Sequence, residues 1–373
     1  QREQCRVFIA AQSNPVTESQ LFYNSTGGGK STLVDWPKEK IENVTASVHS
    51  SESKQKQDLH LVFEYAEGDT ILGGRFRASR SNRFYFVHDP NGGQIRQLEA
   101  YHQIAKSDYP ELRRHMFGGY QLLQKLDSSI AEERFQKQAE LWSEMRRSES
   151  TQESVDHRIH VEFADFTSLE FFQLFEKYAV RNANSLGMNE QEMGYLVDYW
   201  TALQKGKGLD AFRESLKLAQ NSKPTFKAII GQLKEFFQMK DKLGLDISRV
   251  HLHPYGSFFM CYETSKWESA REAIIKSSMA VPQYCVDPTK KSEELDLSNF
   301  ELDSIPEYIE HPLKVNKKVR LHDKSLTYNF DLTSSVHCYM QVFIKCKQVY
   351  KTAGMGDTIS GTGFIYHAPK LQN

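Results

Sequence analysis

The stretch KTAGMGDTISG at residues 351–361 decides the fold and the chemistry that this chain can support. It predicts a strand that feeds a turn of small residues and then an apolar helix. Gly354 and Gly356 let the backbone come close to a ligand, and the free N–H groups at the helix start favour a phosphate. Asp357 falls in the first helical turn, where its carboxylate can accept a proton from an attacking hydroxyl. The pattern therefore predicts an anion hole beside a carboxylate base, as phosphoryl transfer to an alcohol requires. A tight turn with Asp357 as a helix cap is the alternative.

Two acidic signals precede this stretch. The apolar strand segment HVE ends at Glu162, and the segment NEQE begins a helix with Asn189 and ends at Glu192. A strand-end carboxylate and a helix-start carboxylate can hold Mg²⁺ and its waters near a diphosphate. Taken alone, Glu162 also fits an ion pair, and Asn189 with Glu192 fits an N-cap with its capping-box glutamate. Taken in order ahead of GMGD, they predict a metal site formed by Glu162, Glu192 and Asp357.

Strands and helices alternate along the rest of the chain. A strand at 158–163 precedes a helix for which Asp165 or Thr167 can be the N-cap. This alternation predicts an α/β fold with a mainly parallel central sheet flanked by helices, and ligands beyond the carboxyl ends of the strands. Further strands are predicted at 59–65, 83–88, 250–255, 258–262, 326–332 and 339–346, and further helices at 128–147, from 189, at 225–243, 267–279 and 354–366.

Several basic side chains are weaker candidates. His251 and His253 alternate on one predicted strand and therefore face the same side, where they can line an adenine pocket or be core histidines. Lys345, Lys347 and Lys351 precede the GMGD turn and can attract a phosphorylated ligand, although a solvated edge explains most of them.

Two other patterns carry less information. The segment GGGKST at 27–32 resembles the end of a P-loop, but Asn24 stands where the Walker pattern needs glycine, so we interpret it as a surface loop. Five cysteines with no CxxC pair argue against a zinc ribbon, and a Cys285–Cys346 disulfide is an expectation for an oxidising compartment.

Composition limits the class of protein. The 373 residues suit one large α/β unit, or such a unit with a lid. The balance of 47 basic against 48 acidic residues excludes a dominant basic field for nucleic acid. No apolar run approaches the roughly 20 residues that a membrane span needs, so no transmembrane segment is expected. The chain begins with Gln1 and not with Met, as a processed or truncated chain would.

Three motifs together resemble a known family. HVE at 160–162, NEQE at 189–192 and AGMGDTIS at 353–360 are similar to the ADP-dependent glucokinase family, of the animal type, within the ribokinase-like superfamily. LHLVFEY, NRFYFVHD and NSLGMNEQE extend the similarity from about residue 59 to the C-terminal region. GxGD alone is shared by the wider superfamily, whereas HxE and NxxE ahead of it specify the narrower assignment.

This resemblance implies a ribokinase-like fold and a reaction. It implies a partial lid and the start of the large domain over residues 1–100, and a nucleotide-binding α/β domain over 101–373. It also implies transfer of the β-phosphate of ADP to the 6-hydroxyl of glucose. Asp357 would be the catalytic base. The motifs assign Gly354, Met355 and Gly356 to the nucleotide, and Glu162, Glu192 and Asp357 to Mg²⁺. We also assign His253 to the nucleotide, and Arg83 and Asp89 to the substrate. A monomer associated with the endoplasmic reticulum or the secretory pathway is expected.

The family's early sugar-binding motifs, an Asn and an Asp on a first strand and a later Gly-Gly-Asn segment, are not found here. We therefore expect the lid to be incomplete at the N-terminus. A non-catalytic nucleotide- or sugar-binding relative is the alternative, and an ATP-using sugar kinase is a third hypothesis because GMGD does not encode the number of phosphates.

Overall fold

The structure of the protein is a computed structural model. It describes residues 59–65, 70–71, 76–77, 82–88, 95, 97–110, 112–146, 157–164, 166, 168–206, 225–254, 257–281, 300–302, 327–342, 344–346 and 355–370.

The chain forms two compact units. The first comprises Gln1–Pro110, Pro288–Leu295 and Lys351–Ala353, and the second comprises the remainder. In the first unit, β1 and β4 pair antiparallel, as do the short strands β2 and β3. Its elements are β1 (Leu59–Tyr65), β2 (Thr70–Ile71), β3 (Phe76–Arg77), β4 (Asn82–His88) and α1 (Gln97–Ser107). The predicted strands at 59–65 and 83–88 are confirmed, whereas the functional division at residue 100 stays a prediction.

The second unit contains the central sheet and its helices. Its strands are β5 (Arg114–Phe117), β6 (Arg158–Glu162), β7 (Ser185–Met188), β8 (Arg249–Leu252), β9 (Ser257–Glu263), β10 (Trp267–Glu268), β11 (Phe300–Leu302), β12 (Thr327–Asp331), β13 (Val336–Val342), β14 (Ile344–Cys346) and β15 (Ala368–Pro369). Its helices are α2 (Ser128–Arg146), α3 (Leu169–Tyr178), α4 (Glu190–Gln204), α5 (Phe226–Lys242), α6 (Ala270–Met279) and α7 (Met355–Tyr366), with 3₁₀ turns at Tyr120–Lys125 and Val180–Asn182.

Seven strands form the central sheet in the order β12-β13-β9-β8-β7-β6-β5. Strands β5 to β8 run parallel, and β9, β13 and β12 join antiparallel on the far side of β8. The α/β sheet flanked by helices is confirmed. Its parallel half has all of its carboxyl ends at one edge, which is where ligands bind in sheets of this kind.

Strands β6, β7 and β8 are buried along their whole length because helices cover both faces of the sheet. Side chains alternate between the two faces. One face is apolar and includes Val161, Leu186 and Val250, each 0% exposed. The aromatic side chains that fill the core between the helices include Phe135, Phe171, Phe175, Trp200 and Phe236.

The opposite face lies beneath α7. Ile359 and Phe364 of this helix pack in one cluster with Met260, Trp267 and Ile274. Helix α7 can approach the sheet closely because small residues line its inner side: a Cβ atom at Gly363 would lie 2.8 Å from the His251 ring. The packing fixes the N-terminal end of α7, and Asp357 with it, at the carboxyl edge of the sheet.

Polar side chains cap the starts of α3, α4 and α5, and one of these caps corrects a prediction. The predicted N-cap of α3 was Asp165 or Thr167, but Ser168 caps this helix and its hydroxyl accepts the Phe171 N–H. Ser168 lies one residue nearer the helix than Thr167, which puts its hydroxyl within reach of the N3 amide. The helix predicted at 225–243 is confirmed as α5, and Thr225 is its N-cap. The helix predicted from residue 267 begins at Ala270 instead, because Trp267 and Glu268 pair with β15.

Two further features complete the fold. A disulfide joins Cys261 on β9 to Cys338 directly opposite on β13. The expected Cys285–Cys346 disulfide stays a prediction, because Cys285 lies outside the described residues. Within the described residues, none of the helices has the length and apolar character to cross a membrane.

Candidate active site at the carboxyl edge of the sheet

The carboxyl ends of β6, β7 and β8 bring three predicted groups to one edge. Glu162 is the last residue of β6, Asn189 follows β7, and His253 follows β8. The strands are adjacent and parallel, so residues that end them are neighbours in space.

Glu162 is the most deeply buried of the predicted metal ligands, at 3% exposure. Its Oε1 atom lies 2.8 Å from His253 Nε2, and its Oε2 atom lies 3.5 Å from His160 Nε2. The longer contact lacks hydrogen-bond geometry, and Oε2 has no hydrogen-bond partner in the described part of the chain. Burial alone would raise the pKa of the Glu162 carboxyl, but the charge on His253 and the contacts with both imidazoles hold it well below its usual range. Glu162 is therefore a carboxylate.

His253 lies between two negative charges. Burial would lower its pKa, but Glu162 foremost and Glu192 in addition raise it above the usual histidine value. The ring also faces the start of α7, because a Cβ atom at Gly356 would lie 3.4 Å from His253 Cε1. The predicted contact of His253 with a nucleotide stays a prediction, whereas the structure shows that it supports Glu162.

Glu192 takes part in the capping box at the start of α4. Its Oε2 atom accepts the Asn189 N–H at 2.8 Å, and Asn189 Oδ1 accepts the Glu192 N–H at 2.9 Å. The capping reading of this segment is thus confirmed. It does not exclude a ligand role, because the same carboxylate is close enough to His253 to raise that residue's pKa.

Asp357 lies in the first turn of α7 and is exposed. A Cβ atom at Gly118, just after β5, would lie 3.4 Å from Asp357 Oδ1 and 3.4 Å from Glu162 Cβ. Both acidic residues therefore flank the same glycine. The structure places Glu162, Glu192 and Asp357 at one edge of the sheet, and their catalytic and metal-binding roles stay predictions.

Gly187 on β7 was not identified from the sequence. It lies opposite Glu162 in the β6–β7 register, and a Cβ atom there would lie 1.8 Å from Glu162 Oε2 and 2.4 Å from Ser360 Oγ. The Ser360 hydroxyl is buried and has no hydrogen-bond partner in the described residues. Gly187 therefore leaves the space that the Glu162 carboxylate occupies. A polar or small residue at every second position of a buried strand is the sequence signal that would have found it.

No three His, Cys, Asp or Glu side chains in the described part of the chain are grouped closely enough to enclose a metal ion. Mg²⁺ does not require such a cage, since it usually keeps several waters and binds one or two carboxylates together with substrate phosphates. A buried glutamate oxygen without a hydrogen bond, at an edge with two more carboxylates, fits that chemistry.

Other predicted positions lie outside what the structure describes. Met355 and Gly356 begin α7 and are half-buried, whereas Gly354 precedes the described segment. Arg83 lies on β4 in the first unit, and Asp89 is outside the described residues, so their assignment to the substrate stays a prediction. The residues outside the description also include Lys347, Lys351 and the glycine-rich segment at 27–32.

The sheet and the position of α7 define the class first: this is an α/β protein with a ribokinase-like fold. It aligns at a TM-score of 0.53 and 14% identity with an ADP-dependent kinase in complex with fructose-6-phosphate and ADPbetaS, covering 85% of this chain and 67% of that one. It aligns equally well, at 0.53 and 15% identity, with the last common ancestor of ADP-dependent phosphofructokinases from Methanosarcinales, covering 84% and 63%. At these identities the likeness shows the fold.

The family follows from the sequence. Residues 1–366 match the conserved region of ADP-specific phosphofructokinase/glucokinase, and the chain belongs to that family. It is 23% identical over 318 residues to the ADP-dependent glucokinase of Bos taurus and 21% identical over 322 residues to a probable ADP-dependent glucokinase of Caenorhabditis elegans. These alignments cover 84% and 83% of this chain but only 59% of each relative. The resemblance inferred from HxE, NxxE and GMGD is confirmed.

Proposed function

We propose that this chain is an ADP-dependent glucokinase, which transfers the β-phosphate of ADP to the 6-hydroxyl of glucose and leaves AMP. One observation carries the proposal: Asp357, at the start of α7, and Glu162, at the end of β6, both flank Gly118 at the carboxyl edge of the sheet. A base for the sugar hydroxyl and a carboxylate for the diphosphate region are thus side by side.

In this reaction the sugar oxygen forms a bond to the β-phosphorus, and the bond from that phosphorus to the bridging oxygen of ADP breaks. The sugar proton goes to Asp357, and the electron pair of the broken bond stays on AMP. The backbone amides of the GMGD turn and the N-terminal end of α7 stabilise the charge that develops on the transferred group. Glu162 is held in the charged state for its part in this site by His253.

Glu162 and Glu192, with Asp357, would hold Mg²⁺. When bound, the ion neutralises charge on the phosphate oxygens and orients them for displacement. The chain's own contribution is to present a carboxylate whose pKa is already depressed and whose second oxygen makes no hydrogen bond within the described residues.

The sugar is the second question. The similarity to the Bos taurus and Caenorhabditis elegans proteins supports glucose, whereas the family also includes phosphofructokinases and the kinase that shares the fold is a complex with fructose-6-phosphate. A coupled assay should compare both sugars with Mg·ADP and Mg·ATP. Glucose 6-phosphate with AMP supports the proposal; a product only from fructose 6-phosphate or only from ATP replaces it. ADP binding without any product supports the non-catalytic alternative.

The role of Asp357 has a matched control. Asp357→Asn and Glu272→Gln each remove one exposed negative charge from the first turn of a helix, so both lose the same favourable interaction with the helix dipole. Loss of a general base costs roughly 10²- to 10⁴-fold in turnover. We expect that loss for Asp357→Asn alone, with ADP affinity retained. Equal turnover of the two variants would contradict Asp357 as the base.

We further propose that the protein is a monomer of the endoplasmic reticulum or the secretory pathway. The Cys261–Cys338 disulfide supports an oxidising compartment, because disulfides persist there. Imaging of a tagged full-length protein and light scattering of the purified chain test the two parts separately.

A further inference from the structure

A row of polar side chains crosses the sheet face beneath α7. Arg249 Nη1 donates to Ser185 Oγ at 2.7 Å, and Ser185 Oγ lies 2.8 Å from His160 Nδ1. His160 Nε2 then faces Glu162 Oε2 at 3.5 Å. At the other end, Arg249 Nε donates to His367 Nδ1 at 2.8 Å. Arg249, Ser185, His160 and His367 are each 0% exposed.

The direction of this row follows from what each group can donate. A carboxylate accepts hydrogen bonds and donates none, so the His160 nitrogen that faces Glu162 must carry the proton for the contact to be attractive. His160 offers the Ser185 hydroxyl its only acceptor among the described residues, because Arg249 can only donate. Its Nδ1 atom is then an acceptor, and the Ser185 hydroxyl must donate to it. Ser185 in turn accepts from Arg249, so every donor points from the guanidinium toward Glu162.

The guanidinium of Arg249 has no carboxylate within 4 Å among the described residues. Its neighbours include the rings of Trp267 and Phe364, with centroids at 5.7 and 5.6 Å, and the Met260 sulfur at 4.0 Å, and the like charge of Arg114 also acts on it. Burial lowers the pKa of Arg249 to about 9 while the charge on Glu162 opposes that shift, so the group stays charged at neutral pH. A buried charge without a direct counter-ion is costly, and a protein that needed only packing here would be served by an apolar side chain.

We propose that Arg249 and Ser185 are positioning residues that act on Glu162 through His160. The permanent charge of Arg249 orients the Ser185 hydroxyl, the hydroxyl selects the His160 tautomer with its proton on Nε2, and that N–H faces the second oxygen of Glu162 at 3.5 Å. The consequence for catalysis rests on the proposed function, in which Glu162 serves the diphosphate site. The His160 tautomer does not depend on the proposed function.

The first measurement uses the ligand-free wild-type protein. Two-dimensional ¹⁵N NMR of histidine-labelled full chain distinguishes the two neutral tautomers and the protonated ring, and the spectrum of His160→Gln identifies the His160 signals. We expect His160 to be neutral with its proton on Nε2. A proton on Nδ1, or a protonated ring, at neutral pH would overturn the proposal without any folding question.

The second measurement compares Ser185→Ala with Ser277→Ala. Both remove one buried serine hydroxyl, but Ser277 Oγ donates to the Ile274 carbonyl within α6, away from this row. Ser185→Ala should mix the His160 tautomers and weaken Mg·ADP binding about tenfold by calorimetry, because a buried group loses its partner. Ser277→Ala should change neither. Ser185→Thr keeps a hydroxyl and should restore the wild-type tautomer.

The outcomes separate the two proposals. An unchanged His160 spectrum in Ser185→Ala, or a changed spectrum with the Mg·ADP affinity of Ser277→Ala, would refute positioning. If the wild type phosphorylates neither sugar, the proposed function fails. The measured His160 tautomer would still establish the direction of hydrogen-bond donation from Arg249 through Ser185 to His160. If Ser185→Ala does not fold, the wild-type tautomer and Ser185→Thr carry the test.

Discussion

Gly187→Ala tests how the position of the Glu162 carboxylate affects activity, because it adds a single methyl group in the interior of β7. The new Cβ atom would lie 1.8 Å from Glu162 Oε2, 2.9 Å from Glu162 Cδ and 2.4 Å from Ser360 Oγ. These three atoms must move, since no real Cβ contact is that short. The backbone at Gly187 is ordinary β-strand, so the substitution adds no dihedral strain.

The geometry gives the size of the effect. To reach an ordinary contact of 3.4 Å, Oε2 must retreat by roughly 1.6 Å, and a displacement of about 1 Å can cost on the order of 10²-fold in rate. We therefore expect kcat/KM to fall by at least about 100-fold. Overpacking of this kind costs about 1–3 kcal/mol of folding free energy, which leaves a folded protein in which the loss of activity can be measured.

Gly231→Ala is the matched control. A Cβ atom at Gly231, in the interior of α5, meets nothing within 4 Å, so alanine should leave activity unchanged and stabilise the helix by about 0.5–1 kcal/mol. Urea unfolding and steady-state kinetics of both variants test the reasoning. Retention of more than a tenth of the wild-type kcat/KM in Gly187→Ala would show that the Glu162 position is not critical.

Three further predictions follow from other contacts. Glu192→Gln keeps a capping-box acceptor for the Asn189 N–H but removes the charge, so the unfolding free energy should change by less than about 0.5 kcal/mol. Mg·ADP binding, measured by calorimetry, should weaken about tenfold. Unchanged binding would show that Glu192 acts only as a helix cap. Burial holds the pKa of His251 well below its usual value, so below a pH of about 6.5 the unfolded state binds a proton that the folded state does not. The unfolding free energy should therefore fall by about 1.4 kcal/mol for each unit that the pH drops below about 6.5. In urea unfolding between pH 7 and 5, His251→Leu should show a smaller change of unfolding free energy with pH than the wild type, and equal changes would contradict this. Non-reducing peptide mapping should recover Cys261 linked to Cys338. This bond closes a loop of 77 residues, so its reduction should lower the unfolding free energy by about 2–5 kcal/mol. A map without the linked peptides would refute the disulfide.

The elements that could be predicted from the sequence are those with a local signal. The strands at 59–65 and 158–163, the helix from Asn189 and the helix from Thr225 all have apolar patterns or capping residues that depend on neighbours in the chain. The acidic positions Glu162 and Asp357 were found because they end a strand and begin a helix, and the fold brings such ends together.

The residues that were missed depend on register. The alternation of Ser185 and Gly187 marks one face of β7, but the role of Gly187 comes from lying opposite Glu162 on the next strand. Ser185 and Arg249 are likewise paired across β7 and β8, although they are far apart in the chain. The capping of α3 by Ser168 was missed for a smaller reason, since several polar residues precede that helix and only the backbone geometry selects one of them.

Support for Glu162 comes from two directions that differ in character. His253 contacts Oε1 at the edge of the sheet, where its ring also faces the start of α7 and a ligand would approach. Oε2 faces the buried row of polar side chains that runs through His160 and Ser185 to Arg249. Under the proposed function, Glu162 therefore has one oxygen hydrogen-bonded to a side chain that a ligand can displace, and one that faces the core without a hydrogen bond in the described residues. Because the inner contact does not depend on the ligand, the position of the carboxylate is set before binding, and little of the binding energy has to be used to order it.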